Sequence, residues 1–276
     1  IMINFAHICP TAYLSTYAKY NTAHLILAHL VEEDEQYRDF YKNLNDGYPK
    51  IMDNSAFEMW KQNKPMYPAD KLLEMGKACN AQYIVMSDYP GEPWEKTRDA
   101  AIQLIPQFKE AGFKTFYVPQ GPIGMVDDLL ESIQWALDNK DIDLIGMSIL
   151  SCPNAFGVER NNKLQRYLSR YEVFRRLADI VPMDDRTFKR FHCLGMVDGP
   201  NEISLLQKFR HMIFSWDSSA AIWAGMNEVS FDESPTGLIN GKFEKEVDFD
   251  WKTEDTESLT KAIENMAYID YLCKES

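Results

Sequence analysis

The chain has 276 residues, 45% of them hydrophobic, enough for one large core and close to the roughly 250 residues of a single α/β barrel. Its net charge of −13 argues against indiscriminate nucleic-acid binding, which runs on a basic surface. No apolar run approaches the roughly 20 residues of a membrane helix, and no basic-plus-apolar signal segment opens the chain. The five scattered cysteines include no Cys-x-x-Cys, so they encode neither a disulfide framework nor a zinc site, and a cytoplasmic protein is expected.

Residues 3–9 (INFAHIC) predict a first strand, followed by a tyrosine-rich connection over 10–21 with room for one short helix. Residues 24–30 (HLILAHL) predict a second strand, and 32–44, with Tyr37, Phe40 and Tyr41 at helical spacing, a helix. Asp46-Gly47-Tyr48-Pro49 breaks that helix, and the third strand ends at Asp53. A helix over 68–79, a strand over 82–87 and a long amphipathic helix over 93–111 stopped by Gly112 come next. Then follow a strand over 114–119, a helix over 125–138, a strand over 143–148, a basic helix over 160–178, a strand over 190–194, a helix over 201–210 and a strand over 212–216. Eight strand-like runs, mostly separated by helices, predict a (β/α)8 TIM barrel: one domain over 1–276, with the barrel at about 3–220 and an irregular extension at about 221–276. In that extension, 228–249 reads as an acidic loop or hairpin, and 257–271 as an amphipathic helix that closes the barrel bottom.

Three apolar runs each end in an aspartate: Ile51-Met52-Asp53, Ile84-Val85-Met86-Ser87-Asp88 and Met212-Ile213-Phe214-Ser215-Trp216-Asp217. In barrel enzymes the site lies at the carboxyl ends of the strands, so these carboxylates are expected at one mouth with Gln120, Gly146 and the segment from His192 to Gly195. Such a set suits a polar, planar ligand with several hydrogen-bonding edges, and also glycosidic-bond chemistry, in which one carboxylate is nucleophile and another acid/base. Plainer roles fit some of the same residues: Asp53 and Asp88 as helix caps, Phe57 as core, His192 as a buried supporting histidine. No histidine or cysteine cluster has metal-ligand spacing, and no cofactor or metal is expected.

These segments resemble the tRNA-guanine transglycosylase superfamily over roughly residues 3–220. The family's Asp-Ser-Gly-Gly-(Phe/Tyr)-Gln is similar to Asp53-Asn54-Ser55-Ala56-Phe57-Glu58, and its strand-end aspartate to Ser87-Asp88. Its Gln-Gly pair resembles Gln120-Gly121, its Gly-Gly-Leu turn Gly146-Met147-Ser148, its His-x-Leu-Met-Gly segment His192-Cys193-Leu194-Gly195-Met196, and its Phe-Asp-Cys strand end Trp216-Asp217-Ser218. The resemblance implies exchange of guanine in a polynucleotide for a free 7-deazaguanine base of the preQ0 kind. Asp217 would be the nucleophile and Asp53 the general acid/base. Asp88 and Gln120 would read the purine edge, Asn54, Gly121, Met147 and His192 would help bind it, and Phe57 would stack on it. The Gly146 turn would offer backbone groups. The target must be swung out of its stack to reach such a pocket.

The departures point away from tRNA. The family's tRNA enzymes carry a Cys-x-Cys-x-x-Cys…His zinc site after the last strand, whereas here no cysteine follows Ser218 until Cys273. A compact, zinc-free chain is most similar to the phage DNA-guanine transglycosylases, so DNA is the expected partner, tRNA the alternative, and a host cytoplasm the location if the chain is phage-encoded. Residues 160–190 hold nine of the 29 Lys and Arg, and Arg160, Lys163 and Arg166, three apart, are expected to track phosphates along one helix face. A barrel nucleosidase or glycoside hydrolase using the same carboxylates, and an inactive adaptor that keeps the fold, remain open, as does action as a homodimer or with a partner subunit.

Overall fold

The computed structural model describes residues 2–181, 188, 190–196, 199–233 and 248–274. Its sheet is parallel throughout, in the order β1-β8-β7-β6-β5-β4-β3-β2. The strands are β1 Asn4–His7, β2 His24–Leu27, β3 Lys50–Asp53, β4 Tyr83–Val85, β5 Lys114–Tyr117, β6 Leu144–Ser148, β7 Phe191–Leu194 and β8 Ile213–Ser218. The seam between β1 and β2 is drawn together just before β2, where the Thr22 and Ala23 amides donate to the Phe5 carbonyl and Asn21 Oδ1 accepts from the His7 amide at 2.8 Å. The result is a nearly closed (β/α)8 TIM barrel. Its strands are buried on both faces and mostly apolar, as parallel strands between a packed interior and an outer helical layer are.

The helices are α1 Leu14–Tyr17, α2 Ala28–Glu33, α3 Glu35–Asn43, α4 Ala56–Lys61, α5 Ala69–Ala78, α6 Trp94–Glu110, α7 Val126–Asp138, α8 Ser151–Ala155, α9 Lys163–Leu177, α10 Asn201–Leu205, α11 Ala220–Met226 and α12 Thr256–Cys273. The sequence expectation needs correcting in four places. The second apolar run stops being strand at Leu27, and residues 28–30 begin α2. Arg160 lies in a turn before α9 rather than on it. The segment after β8 forms α11, buried at every residue. Finally, α12 does not plug the barrel bottom. Tyr13 and Tyr17, beyond the carboxyl end of β1, reach the Thr253 and Leu259 carbonyls, whereas Ile3, at the other end of β1, donates to Cys273 O. The helix therefore runs antiparallel to β1 along the outside. Against α11 it packs so closely that a Cβ on Gly225 would come within 2.4 Å of the Ala262 backbone. Most of the stretch expected as an acidic loop or hairpin, residues 234–247, lies outside the described residues, as do Arg186 and Lys189.

One irregularity sets the direction of a side chain that matters below. On β8, Ile213 pairs with Phe191 and Ser215 with His192, so Phe214 is an extra residue, a β-bulge. Asn4 Nδ2 donates to the Phe214 carbonyl at 3.0 Å, and the Phe214 ring lies 6.2 Å from that of Tyr83 on β4, the strand opposite. Phe214 therefore faces the barrel interior at its floor.

Candidate active site

A cavity of about 380 Å³ opens at the carboxyl ends of the strands, within the size range of small-ligand sites. Asp53, Asn54, Phe57 and Glu58 line it from β3 and the start of α4, Asp88 from the end of β4, and Gln120 from the segment after β5. Ser148 to Leu150 contribute from β6, Leu194 to Met196 from β7, and Asp217 from β8. Phe57 and Met196 follow strands four apart in an eight-stranded barrel, so they stand on opposing walls.

The floor is a chain of amides around one carboxylate. Asn54 Nδ2 donates to Asp88 Oδ1 at 2.8 Å and to the Met86 carbonyl at 2.8 Å, while its Oδ1 accepts from the Ala56 amide. Gln120 Nε2 donates to Asp88 Oδ2 at 2.7 Å, and its Oε1 accepts from Ser151 Oγ at 2.8 Å, which fixes the orientation of the amide. Each Asp88 oxygen keeps a lone pair, and Gln120 Nε2 keeps a second hydrogen, for a ligand. Burial pushes the Asp88 carboxyl up to about 6, against the lowering effect of the two amide donors.

Asp53 is partly open to the cavity. Burial, and then the carboxylates of Glu58, Asp217 and Asp88, push it well above the usual carboxylate range, with only the Asn54 amide opposing. The turn beyond it is held in an uncommon conformation: Ser55 has φ +54°, where the family resemblance places a glycine. Ser55 Oγ accepts from the His29 amide at 3.1 Å and bonds His29 Nδ1 at 2.8 Å, so His29 secures a backbone that a non-glycine residue adopts reluctantly.

Asp217 Oδ2 lies 2.6 Å from His192 Nε2, and His192 Nδ1 lies 2.6 Å from Ser215 Oγ. A carboxylate only accepts, so Nε2 carries the hydrogen. Ser215 Oγ closes the row at Nδ1, on the far side of the ring. Behind this row, Trp216 points the other way. Its Nε1 donates to Gly195 O at 2.8 Å, and the Arg170 guanidinium lies over its ring at 5.0 Å. Arg170 is fully buried, forms a two-point ion pair with Glu202, and donates to the carbonyls of Met147, Leu194 and Gly195. It thereby ties the ends of β6 and β7 together beneath Met196.

Of the residues expected to bind substrate, Asn54, Phe57, Asp88 and Gln120 line the cavity with both catalytic candidates, and four do not. Gly146 is no turn. It sits inside β6, where a Cβ would lie 2.8 Å from Phe116 and 2.9 Å from Leu194, so glycine is there for crowding, and Met147 beside it is buried. Gly121 is buried against the start of α7, and His192 lies beneath Asp217. Arg160, Lys163 and Arg166 do not form one helix face, since only the last two belong to α9, and Arg166 turns back to the Arg160 carbonyl at 3.4 Å. Much of the remaining basic charge is spent internally, with Arg175 and Arg176 paired to Glu172. The reading missed Glu58, Met196, Ser148, Ser151 and Phe249 as site residues. Glu58 stands within the Asp53 segment, Ser148 within the Gly146 segment and Met196 within the His192 segment, and nothing in the sequence flags Ser151 or Phe249.

Among the described residues, no group of three or more His, Cys, Asp or Glu is arranged to hold a metal ion, and no helix is long and apolar enough to cross a membrane. Comparison of the chain with protein-family models and with curated proteins gives no match.

Proposed function

We propose that this protein is a base-exchange glycosyltransferase that replaces guanine in DNA with a free 7-deazaguanine base through a covalent glycosyl-aspartate intermediate. One observation carries the reading. A single cavity holds two carboxyl groups prepared for opposite tasks, Asp53 pushed toward its protonated form and Asp217 held as an acceptor by His192, above an Asp88 already gripped by two amides. A carboxyl driven toward its protonated form, across the cavity from a carboxylate with one oxygen left free, is what an acid paired with a nucleophile requires.

The chemistry follows from these positions. A guanine swung out of its stack enters between Phe57 and Met196, and its N1–H and N2–H donate to the spare lone pairs of Asp88, while Gln120 Nε2 meets O6. The free oxygen of Asp217 attacks C1′. The bond from C1′ to N9 breaks, its electron pair leaves with the base, and Asp53 supplies the proton that neutralises the departing guanine. The incoming base occupies the vacated place and gives its N9 proton to Asp53. Its N9 then attacks C1′, and the ester to Asp217 breaks, restoring the carboxylate. No water enters the balance.

DNA is favoured over tRNA because β8 leads at once into α11, buried at every residue, where the tRNA enzymes of the resembling family carry their metal-binding segment. The test is incubation with DNA, and separately with tRNA, in the presence of labelled guanine. Label entering DNA is the expected result. Label entering only tRNA would overturn the substrate, and release of free base with an abasic sugar would point to a hydrolase.

A further inference from the structure

The base pocket accounts for one nucleotide, yet its rim carries an aromatic residue that nothing in the fold requires. Helix α4 anchors itself through the buried Ala56 and Met59, and Phe57 lines the cavity. One turn on, Trp60 is 65% exposed, with its ring 6.2 Å from that of Phe57 and tilted by 32°. Leaving a tryptophan face in water forgoes a large hydrophobic gain, and packing of α4 does not explain it. The exposed Lys61 and Lys64 flank it, Lys64 close enough to help lower the Glu32 carboxyl. The turn that places them is well defined: Asn63 takes φ +53°, its amide donates to Trp60 O, and the Lys64 amide donates to Met59 O at 2.8 Å. Around an opening lined by Asp53, Glu58, Asp88 and Asp217, on a protein of net charge −13, two exposed ammonium groups beside an exposed ring are the exception. Base-stacking aromatics interleaved with lysines are how proteins hold single strands without reading sequence.

We infer that Trp60, with Lys61 and Lys64, forms a second nucleotide subsite, in which the base next to the flipped guanine in the DNA strand stacks on the Trp60 ring while its phosphates meet the two ammonium groups. This rests on the reading of the site as acting on a polynucleotide, and it moves the phosphate-tracking surface from the β6 side of the mouth to the β3 side. The rings of Phe57 and Trp60 then act in series, one inside the pocket for the reacting base and one outside for its neighbour. The site would hold the strand wherever a base can stack, with little preference for which base.

Affinity of the full chain for a guanine-containing single-stranded DNA oligonucleotide, for an RNA of the same sequence, and for free guanine would be measured over a series of salt concentrations. Trp60→Ala is expected to weaken DNA binding about ten- to a hundredfold while guanine affinity stays at the wild-type value, and Trp60→Phe should restore most of the loss. Lys61→Gln combined with Lys64→Gln should reduce the salt slope by about 1.4, the value for two phosphate contacts on a single strand. Wild-type protein that binds and exchanges guanine in DNA, alongside a Trp60→Ala variant of unchanged affinity, would overturn the subsite alone. A loss confined to RNA would overturn its assignment to DNA. Wild-type protein that binds guanine but no oligonucleotide would overturn the polynucleotide reading and the subsite with it.

Discussion

His192 Nε2 stands 2.6 Å from Asp217 Oδ2, with no solvent access to the ring and Ser215 completing the row on its far side. One carboxylate oxygen is thereby committed, and the other is left for the cavity in a single orientation. His192→Asn should lower the turnover of base exchange about ten- to a hundredfold, the worth of one hydrogen bond to a charged group, while leaving guanine affinity near the wild-type value. Steady-state kinetics beside a guanine titration separates the two. A variant as fast as wild type would leave His192 as packing.

Asp217→Ala should abolish exchange without unfolding the barrel, and Asp217→Asn should retain oligonucleotide binding. Mass spectrometry of the denatured wild-type reaction should find a nucleic-acid adduct on Asp217. Exchange at the wild-type rate in the alanine variant would remove this residue from the mechanism.

Guanine affinity should depend on pH through Asp88, whose carboxyl is raised to about 6 by burial. The ionised form accepts from the purine edge, so affinity should be full above pH 6 and fall about tenfold for each pH unit below it. The effect on stability has the opposite sign. A raised folded-state value means the folded protein binds this proton more tightly, so the contribution is fully present below the ordinary value near 4 and is lost as pH rises through about 6. Titration of guanine binding from pH 4.5 to 8 checks the first claim, and Asp88→Ala should remove the step.

Arg170→Met should destabilise the fold by about 3–5 kcal/mol, because it strands the buried Glu202 carboxylate and removes the donor to three carbonyls at the ends of β6 and β7. The urea midpoint should fall accordingly. Surface changes at Arg175, whose partner Glu172 is half-buried, should leave the midpoint nearly unchanged.

The barrel was legible because parallel buried strands read as apolar runs and most of their connecting helices as amphipathic ones. The same logic explains where the reading failed. Residues 24–30 are apolar apart from His24 and His29, and nothing in such a run marks where strand gives way to helix; here it is Leu27. Helix α11 has no polar stripe, since every residue is buried, so it carries no helical period to detect. The three strand-end aspartates were found because each breaks an apolar run. Glycine inside a strand is ambiguous between a turn and a close approach, and at Gly146 the ring of Phe116 and the side chain of Leu194 decide the matter from elsewhere in the chain. Arg170 looked like one more cation in a basic helix, and only the position of Glu202, 32 residues on, makes it interior. Phe249 reaches the cavity from a segment whose local sequence says nothing about ligands.

The bulge at Phe214 turns the choice of nucleophile into a question of parity. Side chains along a strand alternate sides, so with Phe214 pointing to the barrel floor an unbroken β8 would send Trp216 and Ser218 inward and aim Asp217 at the helical layer. The extra residue resets the count: Ser215 and Asp217 face the interior beside His192, and Trp216 falls outside onto Arg170. Straightening the bulge with Phe214 retained would change no reactive group, yet it would exchange an acid for an indole at the place where the chemistry happens, whereas deleting Phe214 would leave Ser215 and Asp217 in their present register. The reactive carboxylate is thus addressed by a single odd residue at the opposite end of its own strand.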